Sequence, residues 1–217
     1  MEIDVVKVVG AVTRKVVRRD YEGEPAATVV ATRTFPAEIE DVWDAITTAE
    51  RIPRWFLPIT GELRLGGRYQ LEGHAGGEVT ACDPPESFAV TWESGGEVTW
   101  LKVRLRSEGE ATNFELQHIA HVDSERWEQF GPGAVGVGWD MLLMALDLHL
   151  SSGETVDPKA AEAWMASAPG KQFARACAYS WGAAAIASGD DAKAAIAAAN
   201  RTTAAYLGEG EAPETES

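Results

Sequence analysis

The chain has 217 residues, long enough to bury a sizeable core with no help from a disulfide or a metal. Against 19 basic residues stand 34 acidic ones, and the formal net charge of −15 excludes nucleic acid and anionic membrane surfaces as partners. Only two cysteines occur, Cys82 and Cys177, far apart and outside any C-x-x-C spacing, so they read as reduced thiols. Met1–Asp20 mixes charges with short valine runs and lacks the layout of a signal peptide, and no apolar run approaches the roughly 18 residues of a membrane span. A soluble, cytoplasmic protein is expected.

In chain order, residues 2–11 suit a short helix or an extension of the first strand. Val12–Tyr21 and Ala27–Phe35 read as a strand pair turning through Glu22-Gly23-Glu24-Pro25. Arg14, Lys15, Arg18 and Arg19 form a basic patch on that first strand, where charge discourages edge-to-edge aggregation. A helix follows Pro36, with Glu38, Glu40 and Asp41 at its positive end and Ile39, Val42, Trp43 and Ile46 along one face. A second short helix is expected over Ala49–Phe56. Five strands come next, near Arg68–His74, Glu78–Cys82, Phe88–Glu93, Glu97–Arg106 and Thr112–His121. Their separators, Gly76-Gly77, Pro84-Pro85, Gly95-Gly96 and Glu108-Gly109, are too short for anything but antiparallel connections.

A long helix is predicted from Gly133 to Ser151, with Trp139, Leu142, Leu143, Leu146 and Leu150 in one apolar stripe and Asp140 and Asp147 off it. Its start, Gly131-Pro132-Gly133-Ala134-Val135-Gly136-Val137-Gly138, is unusual, because each interior glycine costs about 1 kcal/mol relative to alanine. Close packing of this helix on the sheet is the expected reason, with a ligand as the alternative. Residues 158–207 contain 20 alanines in 50 positions and read as two amphipathic helices. Phe173, Cys177, Trp181 and Ala184 share one face, and Ala192, Ile196, Ala199 and Tyr206 the other. These faces dock on the body or join two copies of the chain. The last stretch, 208–217, is acidic and without large apolar residues, and is expected to be disordered. The fold class is therefore α+β: a curved antiparallel sheet wrapped around a long helix, with an alanine-rich helical extension.

Particular words stand out in this order: Thr34-Phe35-Pro36-Ala37 leading to Val42-Trp43, Arg54-Trp55-Phe56 and Gly66-Gly67-Arg68-Tyr69, then Pro84-Pro85 before Trp92, Glu115-Leu116-Gln117-His118, and Gly138-Trp139. Through them the chain resembles the START-like helix-grip (SRPBCC) superfamily. Within it the chain is similar to homologues of the activator of the 90-kDa heat-shock protein ATPase, also called polyketide-cyclase-like proteins. The resemblance spans residues 27–152, leaving 1–26 as an amino-terminal segment and 153–207 as an extension like that of a bacterial subgroup.

The resemblance implies a cavity between sheet and long helix for an apolar or amphipathic ligand. Trp55, Tyr69, Leu71, Trp92, Trp100 and Phe114 supply walls for it, joined by Trp139, Leu142 and Leu143 from the helix. His118 shares its strand face with Phe114 and Leu116, which makes it the one imidazole expected inside and the candidate acid or base. Glu78, Asp140 and Gln70 are candidates for the border. His118 and His121 point to opposite faces of a strand, and no zinc spacing occurs, so neither a metal nor a cofactor is expected. Binding of a hydrophobic small molecule without catalysis is the expected function; a cyclase or hydratase using His118 and a chaperone-interaction module are the alternatives.

Overall fold

The computed structural model describes residues 3–122 and 125–208. Of the acidic stretch 208–217, expected to be disordered, Gly208 is ordered as the cap of the last helix, and 209–217 lie outside the described residues. A six-residue helix, α1 (Val5–Gly10), opens the chain, capped by the Asp4 carboxylate accepting from the Lys7 N–H at 3.1 Å. Then come β1 (Thr13–Tyr21), β2 (Glu24–Phe35), α2 (Ile39–Thr47) and, in place of the second helix expected over 49–56, a single 3-10 turn at Ile52–Arg54. Pro53 in the middle of that segment removes a backbone donor, which limits the helix to one turn. β3 (Ile59–Gly61), β4 (Arg68–Leu71), β5 (Gly76–Asp83), β6 (Ser87–Ser94), β7 (Glu97–Glu108) and β8 (Ala111–His121) follow. The chain ends with α3 (Glu125–Phe130), α4 (Gly133–Ser152), α5 (Pro158–Ala166), α6 (Ala168–Ala187) and α7 (Ala192–Leu207), so the extension is three helices rather than two.

All eight strands form one antiparallel sheet in the order β1-β2-β8-β7-β6-β5-β4-β3. Period-two alternation sorts each strand into a concave and a convex face. One register row across the concave face runs Val79–Val90–Leu101–His118–Val29–Val16, and the next runs Val103–Leu116–Ala31–Arg14. α4 lies against this face. It is long and apolar enough to satisfy the length and composition of a membrane span, which the run-length reading of the sequence did not foresee. Val137, Trp139, Leu143 and Leu146 of α4 are buried, and α6 covers its other side, which accounts for the apolar composition.

The rows also correct the reading of the basic patch. Even-numbered β1 residues point to the concave face, so Arg14 and Arg18 turn toward the helices while Lys15 and Arg19 face solvent. Arg14 Nε sits 3.1 Å from the Asp140 carboxylate of α4, both side chains buried, and its Nη1 donates to the Val9 and Val12 carbonyls at 3.1 and 2.9 Å. Trp181 of α6 donates its indole N–H to the same carboxylate at 3.0 Å. Burial pushes the Asp140 carboxyl above its ordinary value, against the pull of Arg14, and pushes the neighbouring Cys177 thiol up as well. Arg18 pairs with Asp190 beyond the end of α6. β1, α4 and α6 are thus joined around one buried ion pair.

Phe173, Cys177, Trp181 and Ala184 are all buried, and their face docks on the body of the protein. The buried face of α7 is Ala195, Ala198, Ala199, Thr202 and Thr203; of the expected set only Ala199 belongs to it, while Ile196 is 48% and Tyr206 38% exposed. With alanine at eight of its sixteen positions, α7 carries too little side-chain contrast for periodicity to fix its orientation. Gly133 and Gly136 approach these helices rather than the sheet. A Cβ on Gly133 would come within 2.8 Å of Thr202 Oγ1, and one on Gly136 would overlap the Trp181 indole.

Candidate functional site

Between the concave face and α4 lies a chamber of about 300 Å³. Val90 of β6, Leu101 and Val103 of β7, and Phe114 and Leu116 of β8 form its floor, each placed there by strand alternation. Trp139, Leu142, Leu143 and Leu146 of α4 roof it, and Trp43, Ile46, Ile52 and Trp55 close one end. This lining carries no carboxylate, imidazole, ammonium or guanidinium among the described residues.

Of the residues singled out in the sequence, Trp55, Tyr69, Leu71, Trp92 and Phe114 meet here with Trp139, Leu142 and Leu143. The polar atoms of Trp55 and Tyr69 are already engaged. The Trp55 indole N–H donates to the Ala45 carbonyl at 2.9 Å, and the Tyr69 hydroxyl donates to the Thr91 carbonyl at 2.8 Å. Burial raises the Tyr69 phenol, keeping it neutral. Trp100 is the exception. It pairs in register with Ile119, which puts it on the convex face, where its ring lies 4.8 Å from Tyr21 and 5.0 Å from His121. One residue of register separates it from Leu101, which does line the chamber. Glu78 is exposed, and Gln70 spends its amide on the Leu71 and His74 carbonyls at 2.8 and 2.9 Å, so neither borders the chamber; Asp140 faces the extension.

His118 stands just beyond the chamber, behind two tryptophans. The Trp139 indole N–H donates to His118 Nδ1 at 2.9 Å, which leaves the ring proton on Nε2. That proton points to Thr99 Oγ1 at 2.8 Å, and the Thr99 hydroxyl continues the chain to the Trp92 carbonyl at 3.1 Å. Burial lowers the imidazole to about 4. Both ring nitrogens are therefore occupied and the ring is neutral at physiological pH. This chain fixes the Trp139 indole against His118 and ties the His118 ring to the Trp92 backbone; the Trp92 and Trp139 ring centroids are 5.3 Å apart.

Past these rings opens a second chamber of about 380 Å³, bordered by His118, Thr99 and also His74, so His118 is not the lone imidazole of the region. Among the described residues no group of three or more His, Cys, Asp or Glu side chains is placed to hold a metal ion. The sequence reading missed Trp43, Phe56, Phe88 and Ile52 as lining. Trp43 was visible on the apolar face of α2, and its edge-on contact with Phe88, 6.1 Å between centroids, is what carries it to the chamber.

The family described as Activator of Hsp90 ATPase homolog 1-like protein matches residues 36–151. The crystal structure of CalU16 from Micromonospora echinospora is similar at 32% identity over 72% of this chain and 97% of that one, with a TM-score of 0.59. The solution structure of CalU16 is similar at 26% identity over 92% of this chain and 94% of that one, with a TM-score of 0.62, a span too long to leave out the helical extension. An HSP90 activator from Plasmodium falciparum shares the fold at 19% identity, over 57% of this chain and 96% of that one, with a TM-score of 0.51. No curated protein matches significantly.

Proposed function

From the premise that the chain belongs to the Activator of Hsp90 ATPase homolog 1-like family, we propose that it holds a hydrophobic or amphipathic small molecule in the chamber between sheet and α4. The observation that carries this reading is the 300 Å³ chamber itself, with walls of aromatic and aliphatic side chains drawn from separate elements. Packed interiors leave few voids larger than a water, whereas chambers of about 300–1,000 Å³ with apolar walls are the usual form of small-molecule sites. A surface that docks a chaperone needs no such space behind it. Acid–base catalysis is less well supported, since His118 is held neutral with both nitrogens engaged. Two unpaired cysteines, Cys82 exposed and Cys177 buried, suit a reducing cytoplasmic compartment.

The test is a titration with N-phenyl-1-naphthylamine, an apolar fluorophore. Saturable one-to-one binding is expected. Val103→Trp, which fills the floor of the chamber, weakens it at least tenfold with the far-ultraviolet circular dichroism unchanged. No saturable signal, or equal binding by the variant, defeats the proposal.

A further inference from the structure

The second chamber differs in chemistry from the first. The two share Phe56, Trp92, Trp139 and Leu142, so the paired indoles form a partition between them. On its far side the lining includes Ser94, Glu97, Thr99, Arg126 and Tyr206: hydroxyls, one carboxylate and one guanidinium. Arg126 belongs to α3 and Tyr206 to α7, so the last helix of the extension completes this chamber. α7 holds α3 in place, with Arg201 Nε donating to the Gln129 carbonyl at 2.6 Å and Thr202 Oγ1 to the Phe130 carbonyl at 3.1 Å.

Gly138 gives the second observation. Gly133 and Gly136 of the same helix are required by Thr202 and Trp181, but a Cβ on Gly138 would meet only the Tyr206 hydroxyl, at an ordinary 3.5 Å. A glycine inside a helix weakens it relative to alanine, and packing gives no reason for this one. What its missing side chain leaves is open volume in the second chamber, which Gly138 lines.

We infer that the second chamber is a subsite for the uncharged polar head, hydroxyl- or amide-bearing, of an amphipathic ligand whose apolar body occupies the first. The inference rests on the ligand-binding reading above. Among the described residues one guanidinium and one carboxylate on the wall offset each other, so neither an anionic nor a cationic head is favoured, while hydroxyls and amides find both donors and acceptors. Gly138 and Leu146, at the two ends of the site, are eight residues apart on α4, roughly 12 Å along its axis, which sets the length of the ligand.

The experiment compares N-phenyl-1-naphthylamine with its derivative carrying an N-(2-hydroxyethyl)carboxamide arm, on the full chain. The wild type binds the amide probe at least tenfold more tightly. Gly138→Met, which fills the second chamber, removes that advantage while changing affinity for the apolar probe less than twofold, and does not lower the midpoint of thermal unfolding. Tyr206→Phe, which leaves the backbone untouched, weakens the amide probe alone. Equal affinity of the wild type for both probes, or variants that weaken both alike or neither, overturns the subsite and leaves the apolar chamber standing. If neither probe binds the wild type, the ligand-binding reading falls and the subsite with it.

Discussion

The proton on His118 makes the surroundings of the cavity measurable without knowing any ligand. In the unfolded chain this imidazole titrates near 6.5; in the fold, burial brings it to about 4. Between these values the unfolded state holds more protons than the folded one, so stability falls as pH falls. Above pH 6.5 both states are neutral and nothing is lost. At about 1.4 kcal/mol per pH unit, the gap from 6.5 to about 4 amounts to roughly 3 kcal/mol. His118→Gln keeps an acceptor for Trp139 and a donor for Thr99 but does not titrate. Urea unfolding of both proteins from pH 7.5 to 4 gives a difference curve in which the many carboxylates cancel. The wild type is expected to lose roughly 3 kcal/mol more than the variant across that window. Parallel curves would refute the reasoning, because they require an imidazole equally solvated in both states.

Trp139→Phe removes the indole donor and leaves His118 Nδ1 buried without a partner, at a cost of about 1–3 kcal/mol in chemical denaturation. Arg14→Ala strands the Asp140 carboxylate in an apolar setting and costs about 3–5 kcal/mol, whereas replacing both partners with apolar residues recovers most of the loss, as read by calorimetry. Gly136→Ala drives a methyl into the Trp181 indole and destabilises by about 1–3 kcal/mol, while Gly138→Ala leaves stability unchanged or raises it by up to about 1 kcal/mol. Trp100→Ala, on the convex face, leaves the affinity for N-phenyl-1-naphthylamine within twofold of the wild type, in contrast to Trp92→Ala.

The α+β architecture was legible because alternation in β6, β7 and β8 and the 3.6-residue stripe of α4 are strong local signals. The family words Gly138-Trp139 and Glu115-Leu116-Gln117-His118 lie at the heart of the site they led to. What stayed hidden was non-local. Trp100 and Leu101 are neighbours in sequence, and only the pairing with Ile119 and His118 assigns one to the outside and the other to the chamber. Arg14 looked like a solvated charge on an edge strand, since its partner Asp140 lies 126 residues away. The glycines at 133 and 136 announced a close approach, but the surface approached, α6 and α7, comes later in the chain. β3, three residues at the sheet edge, is too short to leave a pattern.

A ligand-binding chamber requires that a small apolar molecule enter the space between α4 and the sheet. Methyl-labelled nuclear magnetic resonance reads this directly, by adding N-phenyl-1-naphthylamine and following the chain's methyl groups. The predicted result is saturable shifts, with intermolecular Overhauser contacts, at Leu143 on the roof and Val103 and Leu116 on the floor. Shifts confined to exposed side chains such as Val6, Leu65 and Ile196, with those three unmoved, would contradict it.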